Sequence, residues 1–253
     1  MFKKIFGVAS CKGGVGKSTI AINLAISLSK FFNKKIGLLD ADMHGPSHPT
    51  LLGISETKNM ESKFFEPEKK YNISSMSIGY FIKENSSVLL RGPMISNTLN
   101  FLIKNTAWNN IDILIIDFPP GTGDVYLSLL RDLKIDGMLI ISTPQVISTI
   151  DVKKTLIMLN KFNVKIFGLL ENMKYYTCDK CKTKNEMYDN NDTSITNLIN
   201  EFNIKKTYSL DFDYEISKSC SQGKPFMWYK TEETDSTKTI KNISLDIIKH
   251  ILE

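Results

Sequence analysis

The segment from Cys11 to Thr19 reads Cys-Lys-Gly-Gly-Val-Gly-Lys-Ser-Thr and lies between an apolar run and a helical pattern. Glycines allow successive backbone N–H groups to turn toward one point, and a helix that starts at about Lys17 adds its positive N-terminal end. The sequence therefore predicts a loop that binds a triphosphate. The residues that we expect to contact it are Gly13, Gly14, Val15, Gly16, Lys17, Ser18 and Thr19.

The side chains of this loop extend the prediction to ATP with Mg²⁺. Lys17 supplies a mobile charge for the outer phosphates, and Ser18 supplies a hydroxyl for the metal. One departure from the general P-loop pattern is that Cys11 replaces its first glycine, with Lys12 immediately after it. A plain glycine-rich turn between a strand and a helix would explain neither the two lysines nor the Ser-Thr pair.

The composition favours one globular domain over residues 1–253. The chain has 253 residues, and no stretch rich in glycine, serine or proline divides it. Hydrophobic residues make up 42% and charged residues 23%, which is ordinary for a globular protein. No apolar run approaches the ~18 residues that a membrane span requires.

Charge and terminal patterns favour a cytoplasmic protein without nucleic-acid or stable membrane partners. Residues Met1–Ser10 lead directly into a strand, with no apolar signal region. The net charge of +5 comes from lysines spread along the chain, which indicates a solvated surface rather than a nucleic-acid site. An apolar stripe in Thr237–Leu252 could lie on a bilayer, although such a stripe more often packs a last helix on a sheet.

Short β-branched runs alternate with helical patterns, which predicts an α/β fold with a mainly parallel central sheet and helices on both faces. The predicted strands are Ile5–Ser10, Lys35–Asp40, Asn72–Tyr80, Val88–Arg91, Ile111–Asp117, Gly137–Ser142 and Val164–Leu170. The predicted helices are Ser18–Phe31, Pro93–Thr106, Gly123–Leu133 and Ser148–Asn160. Ligands of such sheets bind beyond the carboxyl ends of the strands.

Acidic residues end two of the predicted strands. Asp40 and Asp42 close one strand with their side chains on the same side, and Asp117 ends another. Phosphate hydrolysis requires a metal and a carboxylate that orients water, so we assign Asp117 to Mg²⁺ and Asp42 to water, with Asp40 in support. The alternative is that these carboxylates cap helices or pair with lysines. His44 and His48 share the loop and are interpreted as incidental surface residues.

A Cys-x-x-Cys pair, Cys178 and Cys181, falls in a loop predicted at about residues 174–192. Two thiolates can bind one metal centre, and nearby lysines would favour the ionised form of the cysteines. Zinc or a 4Fe-4S cluster requires about four ligands, so either the distant Cys11 and Cys220 or a second copy of the pair must help, and a two-fold dimer is the simpler source. An iron-sulfur cluster, a structural zinc and a redox or inert pair all remain open. Cys11 and Cys220 lack the spacing of partners.

Taken together, the motifs resemble the Mrp/Nbp-type P-loop ATPases, which are iron-sulfur cluster carriers in the deviant Walker A class that includes MinD- and ParA-like ATPases. The resemblance rests on the phosphate loop, Asp-Ala-Asp-Met-His-Gly-Pro-Ser, Leu-Arg-Gly-Pro-Met, Asp-Phe-Pro-Pro-Gly-Thr-Gly-Asp, Ser-Thr-Pro-Gln, Glu-Asn-Met, the cysteine pair and Gly-Lys-Pro-Phe. It implies a homodimeric ATPase that carries a 4Fe-4S cluster to apo-proteins, with cluster-assembly scaffold proteins as further partners.

The resemblance also implies roles for individual residues. Lys12 matches the lysine that reaches a nucleotide phosphate across the dimer, and Asn172 matches the residue that contacts the adenine base. Cys178 and Cys181 match the ligands of a cluster that bridges the two subunits. A partitioning or positioning ATPase of the MinD/ParA kind, which acts on membrane or DNA, is the alternative function.

Overall fold

The structure is a computed structural model, and it describes residues 2–55, 64–82, 92–178, 180–188 and 194–252. The predicted strand Val88–Arg91 and the polar run 189–192 lie outside the described residues. The strands are Phe2–Ser10 (β1), Ile36–Asp40 (β2), Glu68–Lys70 (β3), Ile73–Ser77 (β4), Ile111–Asp117 (β5), Gly137–Ser142 (β6), Ile166–Thr177 (β7), Lys184–Glu186 (β8) and Thr207–Phe212 (β9).

Helices alternate with these strands along the chain. They are Lys17–Phe32 (α1), His48–Leu52 (α2), Gly92–Asn105 (α3), Asp124–Asp132 (α4), Val146–Lys161 (α5), Ser194–Glu201 (α6), Tyr214–Ser221 (α7), Phe226–Tyr229 (α8) and Asp235–Ile251 (α9). A short 3-10 helix, Ile78–Tyr80, follows β4 and replaces the end of the strand predicted there.

The strands form one sheet in the order β3-β4-β2-β5-β1-β6-β7, and both β8 and β9 pair with β7. Pairing is parallel except between β3 and β4 and between β7 and β8. The predicted mainly parallel sheet is therefore confirmed. The register places Asp117 of β5 opposite Asp40 of β2 on one side and opposite Val8 of β1 on the other. The carboxyl ends of these three central strands thus lie side by side.

Each face of the sheet carries its own hydrophobic core, as predicted for helices on both faces. In β5, Leu114 and Ile116 join one core, while Ile113 and Ile115 join the other. Helices α3, α4, α5 and α6 contribute to the first core, and α1, α8 and α9 contribute to the second. Central strands read as continuous apolar runs because both of their faces are buried.

Strand β7 is longer than the sequence prediction, which ended it at Leu170. The strand continues to Thr177, and its last residues pair with β8 in an antiparallel hairpin. After Leu170 the apolar run stops because the strand leaves the core and its side chains become partly exposed. The end of the apolar run therefore did not mark the end of this strand. The cysteine pair lies on a hairpin turn instead of in a long loop.

The apolar stripe of the last helix is buried against the sheet and α1. Ile240, Ile243, Ile247, Ile248 and Ile251 all belong to the core that α1 shares. The stripe is thus packed inside the protein and is not an exposed apolar surface that could contact a membrane. Among the residues that the structure describes, no helix is long and apolar enough to cross a membrane.

Shortening Ile247, which is fully buried, should therefore destabilise the fold. We expect Ile247→Ala to lower the free energy of unfolding by about 2–5 kcal/mol, because removal of a buried aliphatic side chain leaves a cavity. The matched control is Leu245→Ala on the same helix, where the side chain is 38% exposed and the loss should stay below about 1 kcal/mol. Urea unfolding measures both values, and equal losses would contradict this account of the helix.

Candidate nucleotide and metal site

The phosphate loop connects β1 to α1 through glycines in the left-handed region. Gly14 has φ of 79° and Gly16 has φ of 85°, and α1 begins at the next residue, Lys17. The Nδ2 of Asn172, on β7, donates a hydrogen bond of 2.8 Å to the carbonyl of Val15. A Cβ atom at Gly16 would lie 2.5 Å from that same Nδ2, so a larger residue would both be strained at this φ and displace the amide of Asn172. Strand β7 therefore buttresses the loop through one amide.

Lys17, Ser18 and Asp117 come together at the start of α1. The Nζ of Lys17 lies 2.5 Å from Oδ1 of Asp117 and donates to Oγ of Ser18 at 3.3 Å. Lys17 is buried, and Asp117 is completely so. The structure thus gathers the residues to which the sequence assigned the outer phosphates and the metal. Their roles in binding stay predictions.

Two buried carboxylates at this edge differ in their pKa. Burial opposes the ionisation of Asp117, but the charges of Lys17 and His48 outweigh it and lower the pKa of this carboxyl below its ordinary value. Burial dominates at Asp40 and raises its pKa. Asp117 is therefore the better anionic partner for a cation.

Asp40 organises the segment that follows β2. Its carboxylate accepts hydrogen bonds from the backbone N–H groups of Asp42, Ser47 and His48 and from the hydroxyl of Ser77. All of these bonds measure between 3.0 and 3.2 Å. Asp40 therefore fixes the course of residues 41–48.

Asp42 closes a local turn within the same segment. Its Oδ1 accepts from the N–H groups of His44, at 3.2 Å, and Gly45, at 3.1 Å. This contact is a side-chain turn, and it is neither the helix cap nor the lysine pair that the sequence left open as alternatives. These bonds engage Oδ1, and the role of Asp42 in orienting water stays a prediction.

His48 is completely buried, so its interpretation as an incidental surface residue was wrong. Its Nε2 lies 3.2 Å from Oδ2 of Asp117, and ligand atoms of Asp40, His48 and Asp117 all lie within 4.8 Å of one another. The segment Ser47-His48-Pro49 carries a helix-start signal, with serine before the helix and proline in its first turn. That signal could have indicated an ordered histidine. His44 is exposed.

The other lysine and cysteine of the loop contact α5. The Nζ of Lys12 lies 3.6 Å from Oδ2 of Asp151, and the Sγ of Cys11 lies 3.1 Å from Oγ1 of Thr155. Burial raises the pKa of Cys11 to about 11, which keeps it a thiol near neutral pH. Cys11 is thus a packing residue of the loop, and Lys12 is held within its own chain.

A cavity of about 250 Å³ lies beside the phosphate loop. Gly16, Asn172 and Ile216 line it, together with Asp213 and Cys220. Its walls combine apolar side chains with the polar side chains of Thr19, Asn172, Asp211, Asp213 and Ser217. Asn172 therefore lies where its predicted contact with a base can be made, although its Nδ2 is already hydrogen bonded to the loop.

The cysteine pair lies on the turn between β7 and β8. The N–H of Cys178 donates to the carbonyl of Thr183 at 3.0 Å, and the N–H of Lys182 donates to the carbonyl of Cys178 at 2.9 Å. Hydrogen bonds with Thr183 and then with Cys178 lower the pKa of the exposed Cys181 to about 7. These contacts, rather than the neighbouring lysines, favour the thiolate.

Two of the lysines near the cysteine pair form ion pairs with carboxylates. Lys184 pairs with Asp211 at 2.6 Å, and Lys174 pairs with Glu171 at 2.7 Å. Within the described part of the chain, no third cysteine, histidine or carboxylate joins the pair to make a three-ligand group. A metal centre at this turn would need ligands from elsewhere.

The phosphate loop between β1 and α1, with the buried Asp117 on the adjacent β5, defines a P-loop nucleoside-triphosphate-binding protein on a mainly parallel sheet. Residues 1–248 match the family model described as ParA: NUBPL iron-transfer P-loop NTPase. The chain belongs to this family, and the resemblance inferred from its motifs is confirmed.

Curated relatives with cluster-carrier names are similar over most of the chain. The iron-sulfur cluster carrier protein of Aquifex aeolicus is 37% identical over 228 residues, 89% of this chain and 62% of that protein. The iron-sulfur cluster transfer protein NUBPL of Dictyostelium discoideum is 35% identical over 255 residues, 98% of this chain and 77% of that protein. The chain thus spans about three fifths to three quarters of these relatives' lengths.

Solved structures show the same fold. The nucleotide-binding protein of Archaeoglobus fulgidus, solved in complex with ADP, matches with a TM-score of 0.73 and 30% identity, covering 93% of this chain and 94% of that one. The cell division ATPase MinD of Pyrococcus furiosus matches with a TM-score of 0.71 and 19% identity, covering 97% and 98%. The second likeness concerns the fold alone.

The close approach of Gly16 to Asn172 predicts a stability difference between two glycines of the loop. Gly16→Ala should lower the melting temperature of the nucleotide-free protein by several degrees, because alanine in the left-handed region costs roughly 1–2 kcal/mol and its Cβ would clash. Gly13→Ala is the control, since a Cβ there meets no atom within 4 Å. Differential scanning calorimetry measures both, and equal shifts would argue against this geometry.

The environments of the cysteines predict their order of alkylation. In protein freed of metal by chelation, iodoacetamide at about pH 7.5 should label the exposed Cys181 first and Cys11 last, because only the thiolate reacts. The labelling rate at Cys181 should fall as the pH drops below about 7, where its thiolate is protonated. Peptide mass spectrometry over time measures the order, and early labelling of Cys11 would refute it.

Proposed function

We propose that this chain binds and hydrolyses ATP with Mg²⁺ and carries a 4Fe-4S cluster, held between two copies of itself, to apo-proteins. The observation that carries the proposal is the path of β7. This strand supplies Asn172 to the phosphate loop and ends one residue before Cys178. One strand therefore connects the loop for phosphates with the turn for metal. The names of the relatives as cluster carrier and transfer proteins support the same function.

The residues at the nucleotide site fit an ATP-bound Mg²⁺ ion. Ser18 offers a hydroxyl and Asp117 a buried, readily ionised carboxylate, and Mg²⁺ prefers such oxygen ligands. In the proposed mechanism, Gly13 to Thr19 hold the phosphates by backbone N–H groups. Lys17 leaves Asp117 for the outer phosphates, and Asp42 orients the attacking water. The metal would neutralise the charge that develops on the phosphates.

The cysteine turn fits half of a shared metal site. It presents two thiols, one with a lowered pKa, and a 4Fe-4S cluster takes about four. A second copy related by two-fold symmetry would supply the other pair, and Lys12 would then contact the partner's nucleotide. Four thiolates suit zinc equally well, so zinc is the alternative occupant. Cytoplasmic location and scaffold proteins as further partners stay predictions from the sequence.

Anaerobic reconstitution with iron and sulfide tests the proposal. Wild-type protein should gain visible absorption, bind about four iron atoms per two chains and run as a dimer in size-exclusion chromatography. Cys178→Ala should abolish the absorption, because too few thiolates remain. Cys220→Ala is the control, since Cys220 lies beside the phosphate loop at 3.3 Å from Thr19 and should leave the cluster unchanged.

Two outcomes would contradict the proposal. A cluster that persists equally in Cys178→Ala would exclude the turn as its ligand. Zinc in protein purified without oxygen, at one ion per two chains and resistant to replacement by iron, would favour the structural-metal alternative.

A further inference from the structure

His48 is the side chain that joins the segment after β2 to the end of β5. It is the first residue of α2, and its ring Nε2 lies 3.2 Å from Oδ2 of Asp117. Its backbone N–H donates to Oδ2 of Asp40 at 3.2 Å. One residue therefore contacts both buried carboxylates, by its ring at one and by its backbone at the other.

The protonation pattern of this contact follows from its partner. The other oxygen of Asp117 pairs with the ammonium of Lys17, and a carboxylate paired in this way accepts hydrogen bonds, so we take the Nε2 of His48 as the donor. Among the described residues, nothing hydrogen bonds to the other ring nitrogen, Nδ1, although it is buried. A buried polar atom without a partner costs free energy, which an apolar side chain in the same place would avoid. Local packing alone thus does not account for a histidine here.

The two oxygens of Asp117 have different partners. Oδ1 pairs with Lys17 and Oδ2 with His48, so the plane of the carboxylate is held from two sides. If Lys17 turns to the phosphates, His48 remains as the described side chain that fixes this plane. Hydrogen bonds to a metal-binding carboxylate typically change metal affinity or activity by 10- to 100-fold.

We propose that His48 is a positioning residue that orients Asp117 toward Mg²⁺ and links this orientation to the segment 41–47 held by Asp40. The proposal rests on the proposed function in one respect, the binding of a nucleotide with Mg²⁺ at this loop. It requires that the ring act through its Nε2 donor. The effect should therefore fall on the Mg²⁺-dependent part of nucleotide binding.

Fluorescence titration with MANT-ADP, in Mg²⁺ and in EDTA, measures that part directly. His48→Leu should raise the Mg²⁺ concentration needed for half-maximal tightening by about 10-fold or more, while affinity in EDTA stays within about 2-fold of wild type. His48→Gln should recover most of the loss, because its Nε2 amide can donate to Asp117. The matched control is His44→Leu, an exposed histidine of the same segment, which should behave as wild type.

Melting temperatures of all variants separate positioning from packing. Wild-type Mg²⁺ dependence in His48→Leu would overturn the proposal, as would equal losses in His48→Leu and His48→Gln together with lowered melting temperatures. Failure of the wild-type protein to bind MANT-ADP even in EDTA would overturn the proposed function and this role with it. Normal wild-type binding with an unaffected His48→Leu would overturn the role of His48 alone.

Discussion

The buried ion pair between Lys17 and Asp117 is the interaction on which the candidate nucleotide site depends. It joins Lys17, the first residue of α1, to Asp117, the last residue of β5. The Nζ of Lys17 lies 2.5 Å from Oδ1 of Asp117, which is fully buried. Removing two charges from water is expensive, and loss of one partner would leave an uncompensated buried charge that costs about 3–5 kcal/mol. The parallel register of β1 and β5 brings the pair together. A phosphate that attracts Lys17 must compete with this carboxylate, so His48 becomes important as the described partner of Asp117 that remains.

The position of the cysteine turn follows from the length of one strand. Because β7 runs past the core to Thr177, the same backbone reaches from the buried contact between Asn172 and Val15 to the exposed cysteines. Strand β9 pairs with β7 in parallel, and β8 pairs with the last residues of β7, Tyr175 to Thr177. The pairing of β7 with β9 shifts register between Asn172 and Tyr176, and Met173 there has φ of 56°. The loop contact and the cysteine turn are thus joined by one continuous backbone with an irregularity between them.

Parts of the fold and site could be predicted because their signals are local. The strands Ile111–Asp117 and Gly137–Ser142 were predicted to the residue, since a strand buried on both faces is one apolar run with clear ends. Helix α2 was missed because five residues are too few to show a period. The pairing of His48 with Asp117 joins positions 69 residues apart, and no single sequence displays such a contact. The predicted end of β7 was wrong because this end is determined by the pairing of β7 with β8, whereas the prediction relied on apolar residues.

The two lysines of the phosphate loop are held with very different strengths. Lys17 lies in a buried pair, whereas Lys12 is one-third exposed and lies 3.6 Å from Asp151, which also pairs with Lys154. Exposed ion pairs contribute only about 0–1 kcal/mol, so releasing Lys12 costs little. A phosphate bound to a second subunit would have to compete only with this weak contact in order to bind Lys12. Release of Lys12 from Asp151 should therefore cost less free energy than release of Lys17 from Asp117, a difference that is compatible with the proposed dimer.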